Sequence, residues 1–182
     1  MMVIDWFYTV HAIKSWYYNQ EGVAALEAAM LFPPMLSLLF GTSDLGNGIV
    51  LSQKTITASQ VAADLVSRNR TVDSASIEDI IHGAQLAYEP YSLNGFGIDI
   101  VSVTFDAYKN PVVLWRRTES MPPNTEAVSS VAGLADEGEG MIIVSVQYTY
   151  TPEFSKYFMG DIDFKEVAYS RGRRSATVEW EG

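Results

Sequence analysis

Gly22-Val23-Ala24-Ala25-Leu26-Glu27-Ala28-Ala29-Met30-Leu31-Phe32-Pro33-Pro34-Met35-Leu36-Ser37-Leu38-Leu39-Phe40-Gly41 is the stretch whose reading decides the fold. Between residues 23 and 41, 14 of 19 positions are Ala, Val, Leu, Met or Phe, and Glu27 is the single charge. About 20 apolar residues in a helix are enough to cross a hydrocarbon core, so the segment reads as a transmembrane helix. A carboxylate inside such a helix costs roughly 2.5–3.5 kcal/mol on insertion scales, and is retained where it has a partner and a purpose. Pro33 and Pro34 remove backbone donors mid-span, so a kink is expected there; membrane helices tolerate it when neighbouring groups re-satisfy the freed carbonyls.

Working outward, residues 1–22 carry only Asp5, Lys14 and Glu21 as charged side chains, with the aromatics Trp6, Phe7, Tyr8, Trp16, Tyr17 and Tyr18. A secretory signal would place its apolar core before a small-residue cleavage site. Here Ala24, Ala25, Ala28 and Ala29 open the apolar run instead of following it. Conventional signal cleavage is therefore disfavoured. Lys14 alone gives slight positive-inside support, and the aromatic rings suit the headgroup level.

After Gly41 the chain turns polar, and then Leu51, Ala58, Ala62 and Leu65 fall at helical spacing. The simplest reading is one helix over residues 23–67, in the membrane to about residue 41, with a possible break near Gly46–Gly48. At 1.5 Å per residue it would reach roughly 68 Å. A second helix is expected from Ser76 as N-cap to Glu89-Pro90, with Ile77, Ile80, Ile81, Ala84 and Tyr88 on one face. Alternating stretches at 98–106, 112–117 and 141–150 read as strands, and 163–170 with 175–180 as a closing hairpin. Residues 118–140 contain proline, glycine and acid and read as an exposed loop. The expected class is α+β: a long N-terminal transmembrane helix continuing into a globular domain. In that domain a second helix packs on an antiparallel sheet of four or five strands. The boundaries are a leader at 1–22, the helix at 23–67 and an α+β domain at 68–182.

Composition excludes several functions. The net charge of −10, from 22 acidic and 12 basic residues, gives no basic patch for nucleic acid and repels anionic lipid headgroups. The chain has no cysteine, which removes disulfides, thiolate metal sites and cysteine nucleophiles. His11 and His82 stand far apart, so no metal is expected. Arg171, Arg173 and Arg174 read as a solvated turn in preference to a phosphate site. Asp136, Glu137 and Glu139 could be imagined as a calcium or acid–base site, but they lack EF-hand spacing and read as a solvated loop. No nucleophile–base set or phosphate-binding glycine loop stands out. The expectation is a protein without cofactor that is not an enzyme.

The residues resemble the TadE-like family, minor pilin-like proteins of the tight-adherence (Tad or Flp) pilus system. Gly22 with Glu27 looks like a prepilin processing site, and Pro33 stands where the family commonly carries proline. Leu38-Leu39-Phe40-Gly41-Thr42-Ser43-Asp44-Leu45-Gly46 resembles a Leu-Leu-Phe-Gly-x-x-Glu-Phe-Gly stretch, with Asp44-Leu45 in place of Glu-Phe. Tyr148-Thr149-Tyr150-Thr151-Pro152 is similar to the strand ending in Tyr-x-Tyr-x-Pro. The resemblance implies a membrane prepilin peptidase cutting between Gly22 and Val23, and Glu27 pairing with the new Val23 amine. It also implies a single-pass protein of the bacterial inner membrane with its C-terminal domain outside the cytoplasm, reaching the cell-surface pilus if it enters the fibre. The partners implied are other pilin-like subunits and Tad assembly-platform proteins. The alternative is an uncleaved, membrane-anchored adaptor of the same machinery.

Overall fold

The computed structural model describes residues 21–181. The leader expected at 1–22 therefore lies almost wholly outside the described residues. The chain divides into two compact units, one ending at Ser43 and one comprising Asp44–Gly182. Helix α1, Glu21–Ser67, contributes to both and continues through Gly46 and Gly48 without a break.

In the first unit α1 is apolar on every side. Leu26, Met30, Leu31, Phe32, Met35, Leu38 and Leu39 are all exposed. A helix that is apolar all round needs an apolar solvent, and this one is long and apolar enough to cross a membrane.

In the second unit α1 becomes one-sided. Leu51, Thr55, Ala58, Ser59, Ala62, Ala63 and Val66 are buried at steps of three and four, as the stripe predicts, while Gln53, Thr57 and Gln60 face solvent. Helix α2, Ser74–Leu86, shares this core, and a Cβ at its Gly83 would lie 3.4 Å from Leu65 of α1. Tyr88, just beyond α2, donates its hydroxyl to Thr55 Oγ1 at 2.9 Å, and burial pushes that phenol up to about 12.

Helix α2 begins earlier than Ser76. Its N-cap is Asp73, whose carboxylate accepts the Ser76 N–H at 2.8 Å while the Ser76 hydroxyl accepts the Asp73 N–H at 2.9 Å. Both residue types can cap, and the reciprocal pair is formed only with Asp73 outside the helix. Asp73→Ala should lower stability by about 1 kcal/mol, read from urea unfolding of the full chain in detergent; no measurable change would contradict the capping assignment. Helix α2 also ends at Leu86 and not at Glu89, because Tyr88 and Glu89 turn back to the Gln85 and Leu86 carbonyls.

The sheet has four antiparallel strands in the order β3-β2-β4-β5, from β2 (Phe96–Phe105), β3 (Pro111–Glu119), β4 (Gly140–Tyr150) and β5 (Ile162–Arg171). Ile98 stands opposite Val146 and Ile100 opposite Val144, and these four join α1 and α2 in the larger core. The opposite face carries Val101, Val103, Phe105 and Ile143. It is covered by residues of the 118–140 segment, which is therefore not an exposed loop. That segment contains helix α3 (Thr125–Ser129) and buries Ala127, Val131 and Ala135. Strands β2 and β4 are consequently buried on both faces.

The closing hairpin also gives way. Strand β5 pairs with β4, and the chain then crosses to pair β6 (Glu179–Trp180) in parallel with β1 (Thr71–Val72). The Val178 carbonyl accepts both the Ser102 hydroxyl, at 2.9 Å, and the Trp115 indole N–H, at 2.8 Å. Satisfying these two buried donors holds the segment against β2 and β3, and Trp180 seats beside Trp115 at 5.7 Å between ring centroids. A short helix α4 (Lys156–Met159) connects β4 to β5.

Candidate functional site

Gly22, Val23, Glu27, Pro33 and Pro34 all lie on α1. A Cβ at Gly22 would meet nothing within 4 Å among the described residues. Val23 and Glu27 are four apart and share a helix face, both exposed. The helix runs through Pro33 and Pro34. The Ser37 hydroxyl donates to the Pro33 carbonyl at 2.9 Å, and Thr42 does the same to Leu38 at 2.7 Å. Hydroxyls bonded to the carbonyl four residues back hide their own polarity inside the helix, which suits an apolar surrounding.

The second unit contains a buried carboxylate just past the apolar span. Asp44, on α1, is 3% exposed. Its Oδ2 accepts backbone N–H groups from Phe154 at 3.2 Å and Ser155 at 2.6 Å, at the entry to α4. The Tyr150 hydroxyl donates to the Asp44 carbonyl at 3.4 Å. Burial by itself would raise the Asp44 carboxyl. The Ser155 hydroxyl and the N–H groups of Ser155, Phe154 and Glu153 outweigh it and hold the group below its ordinary value. The sequence signal was the acidic position in the Leu-Leu-Phe-Gly-x-x-Glu-like stretch, but nothing local says that residues 154 and 155 return to meet it.

The sign of the pH effect follows. A carboxyl with a lowered folded pKa stabilises the fold above its unfolded value and loses that contribution as pH falls through the folded value. The stability difference between wild type and Asp44→Asn should therefore be constant near neutral pH and shrink below about pH 4, the usual aspartate range. A difference that stays constant to about pH 2 would contradict ionised Asp44 as the acceptor.

A second polar group threads the smaller core. Asp99, on β2, is 1% exposed; its Oδ2 accepts the Asn124 N–H at 2.8 Å and its Oδ1 lies 3.3 Å from Arg116 Nε. Asn124 in turn donates to Ser145 Oγ at 2.9 Å and caps α3 through the Ala127 N–H. Burial pushes the Asp99 carboxyl up, against the pull of the Asn124 N–H, Arg116 and Lys165. This network fastens the 118–140 segment to the sheet.

Several of the charged groups singled out from sequence are paired within the chain, while Glu137 and Arg174 are exposed. Asp136 pairs with Lys109 at 2.7 Å, which lowers its pKa. Glu139 faces Arg171 at 3.6 Å and accepts the Asp136 N–H. Arg173 pairs with Asp64 at 2.8 Å, and Arg68 bonds the same carboxylate. Arg173 thus ties the turn to α1, while Arg171, Arg173 and Arg174 are all exposed, as a solvated turn requires. His82 is exposed on α2. Among the described residues, no group of three or more His, Cys, Asp or Glu side chains is placed to hold a metal ion.

Residues 22–64 match the family model described as TadE-like protein. The match begins at Gly22 and takes in Glu27, both prolines, Asp44 and most of the α1 core stripe. It therefore bears out the resemblance to Tad pilus-associated proteins over the segment that carries the apolar helix. No curated protein matches the chain, and no solved structure does.

Proposed function

We propose that the chain is a minor, pilin-like structural subunit required to assemble a Tad/Flp-type adhesion pilus. The observation that carries this reading is the family match over residues 22–64, which takes in an apolar helical span whose residues 23–41 hold one carboxylate, Glu27. In this reading the helix anchors the protein once in the inner membrane, and the α+β domain lies outside the cytoplasm. Other pilin-like subunits and the assembly platform are the partners. Its role is structural and not catalytic.

Maturation would be hydrolysis of the Gly22–Val23 peptide bond by a prepilin peptidase. Water adds across the bond, leaving a carboxylate on Gly22 and an α-amine on Val23. That amine, with an ordinary pKa of about 7.7–8.0, is largely positive at neutral pH. Glu27 on its own or a neighbouring helix would pair with it, offsetting much of the desolvation of both charges. One residue would then set subunit register, and the surrounding apolar side chains would supply packing.

Deleting the protein should remove surface fibres, and expressing the full chain should restore them, as counted by electron microscopy. Normal fibres in the deletion strain would defeat the assignment. The uncleaved adaptor keeps one structural point in its favour, since the Gly22–Val23 bond lies within α1 and would have to leave helical geometry to be cut.

A further inference from the structure

A pocket of about 410 Å³ opens beside Asp44, walled mainly by apolar side chains that include Leu45, Ile49, Tyr150, Met159 and Phe164. Leu45, Ile49 and Met159 are each more than half exposed. Asp44 is the acidic side chain in that lining. Its Oδ2 accepts the Phe154 and Ser155 N–H groups, while Oδ1 is buried and, among the described residues, has no hydrogen-bond partner of proper geometry. The groups that keep Asp44 ionised are N–H and O–H donors, with no cation among them.

Glu153 follows the pocket residue Pro152, and Asp161 and Asp163 flank the pocket residue Ile162. Asp161 and Asp163 alternate with Ile162 and so turn to the other face of the sheet, where they accept the Thr151 and Thr149 hydroxyls, both at 2.7 Å, which leaves Asp44 as the charge within the pocket itself. A buried anion held by neutral donors among the described residues, in apolar walls and on a chain of net charge −10, is complementary to a cation carried on an aliphatic stem.

We propose that this pocket receives a lysine or arginine side chain of a different protein, its stem along Leu45, Ile49 and Phe164 and its head toward Asp44 Oδ1. The exposed apolar lining favours a protein over a free small cation, because only a macromolecular surface would also cover Leu45, Ile49 and Met159. Oδ1 is closed to solvent, so seating the head requires a lining side chain to rotate aside. The proposal rests on residues 44–164 and stands independently of maturation at Gly22.

The probe is pentylammonium, with pentanol and pentanoate as chain-length controls, titrated into the full chain in nonionic detergent. The methyl resonance of Met159 reports occupancy. Pentylammonium should give a saturable shift at least about tenfold tighter than pentanol, and pentanoate none. Asp44→Asn should erase the preference for the ammonium. Gly48→Leu leaves Asp44 untouched but fills the pocket, since a Cβ there already lies 3.7 Å from Phe164 and 3.8 Å from Tyr150; it should abolish the shift.

The absence of any ammonium shift, equal binding of pentanol, or an intact shift in natively folded Gly48→Leu would overturn the site. The occupant is tested in cells with a photo-reactive residue at Ile49. The cross-linked peptide should come from another protein and contain lysine or arginine. Cross-links to lipid, to a second copy or to a peptide without a basic residue would overturn the proposed partner, as would none at all.

Discussion

Glu27→Val is expected to abolish surface piliation while leaving the protein in the membrane. The substitution removes a group that costs roughly 2.5–3.5 kcal/mol in a span, so insertion should be unchanged or improved. What it takes away is the anion four residues from Val23 on the same helix face. The positive amine made by maturation would then be left without its partner in an apolar surrounding. Glu27→Asp keeps the charge on a shorter arm and should fall between the two. Piliation is scored in a deletion strain complemented with each variant at matched protein levels. A glutamate that merely reaches to the headgroups predicts no loss, and normal fibres with Glu27→Val would support that simpler anchor.

Gly140→Val should destabilise the second unit by about 3 kcal/mol or more. A Cβ at Gly140 would overlap the Ala176 carbonyl oxygen and lie 2.9 Å from Thr177 Cα, both of them backbone. Neither can swing away as a side-chain tip could. The displaced stretch is the one that delivers the Val178 carbonyl to Ser102 and Trp115. Because the conflict begins at Cβ, Gly140→Ala should show most of the loss. Urea unfolding followed by tryptophan fluorescence measures it, and a change within about 0.5 kcal/mol for both variants would contradict this close approach.

What could be read in advance is what repeats or stands out locally. The span and Glu27 are visible because one charge breaks an unrelieved apolar run. The α1 stripe and the α2 face show through their helical period, and the central strands through β-rich runs. The N-cap of α2 was misplaced by three residues because Asp73 and Ser76 are both good caps and exchange hydrogen bonds.

Elements defined by distant partners were not legible. Strand β6 is two residues long and pairs with Thr71–Val72, far back in the chain, so nothing nearby announces it. The acidic composition of 118–140 concealed the four-residue steps of Ala127, Val131 and Ala135, which close the second core. Ser102 alternates with Val101 and Val103 in sequence, yet it is buried and donates to the Val178 carbonyl. Asp44, the first acid after the span, looked like the beginning of water. Its burial depends on residues 154 and 155, more than a hundred positions later.

The pilin-like account turns most directly on the mature N-terminus. Intact mass of the membrane-extracted protein should correspond to a chain beginning at Val23, with residues 1–22 removed. Gly22→Leu, which puts a bulky side chain where the peptidase must approach the backbone, should retain the full-length mass. A wild-type protein that keeps residues 1–22 in the membrane would contradict maturation, and with it the pairing assigned to Glu27.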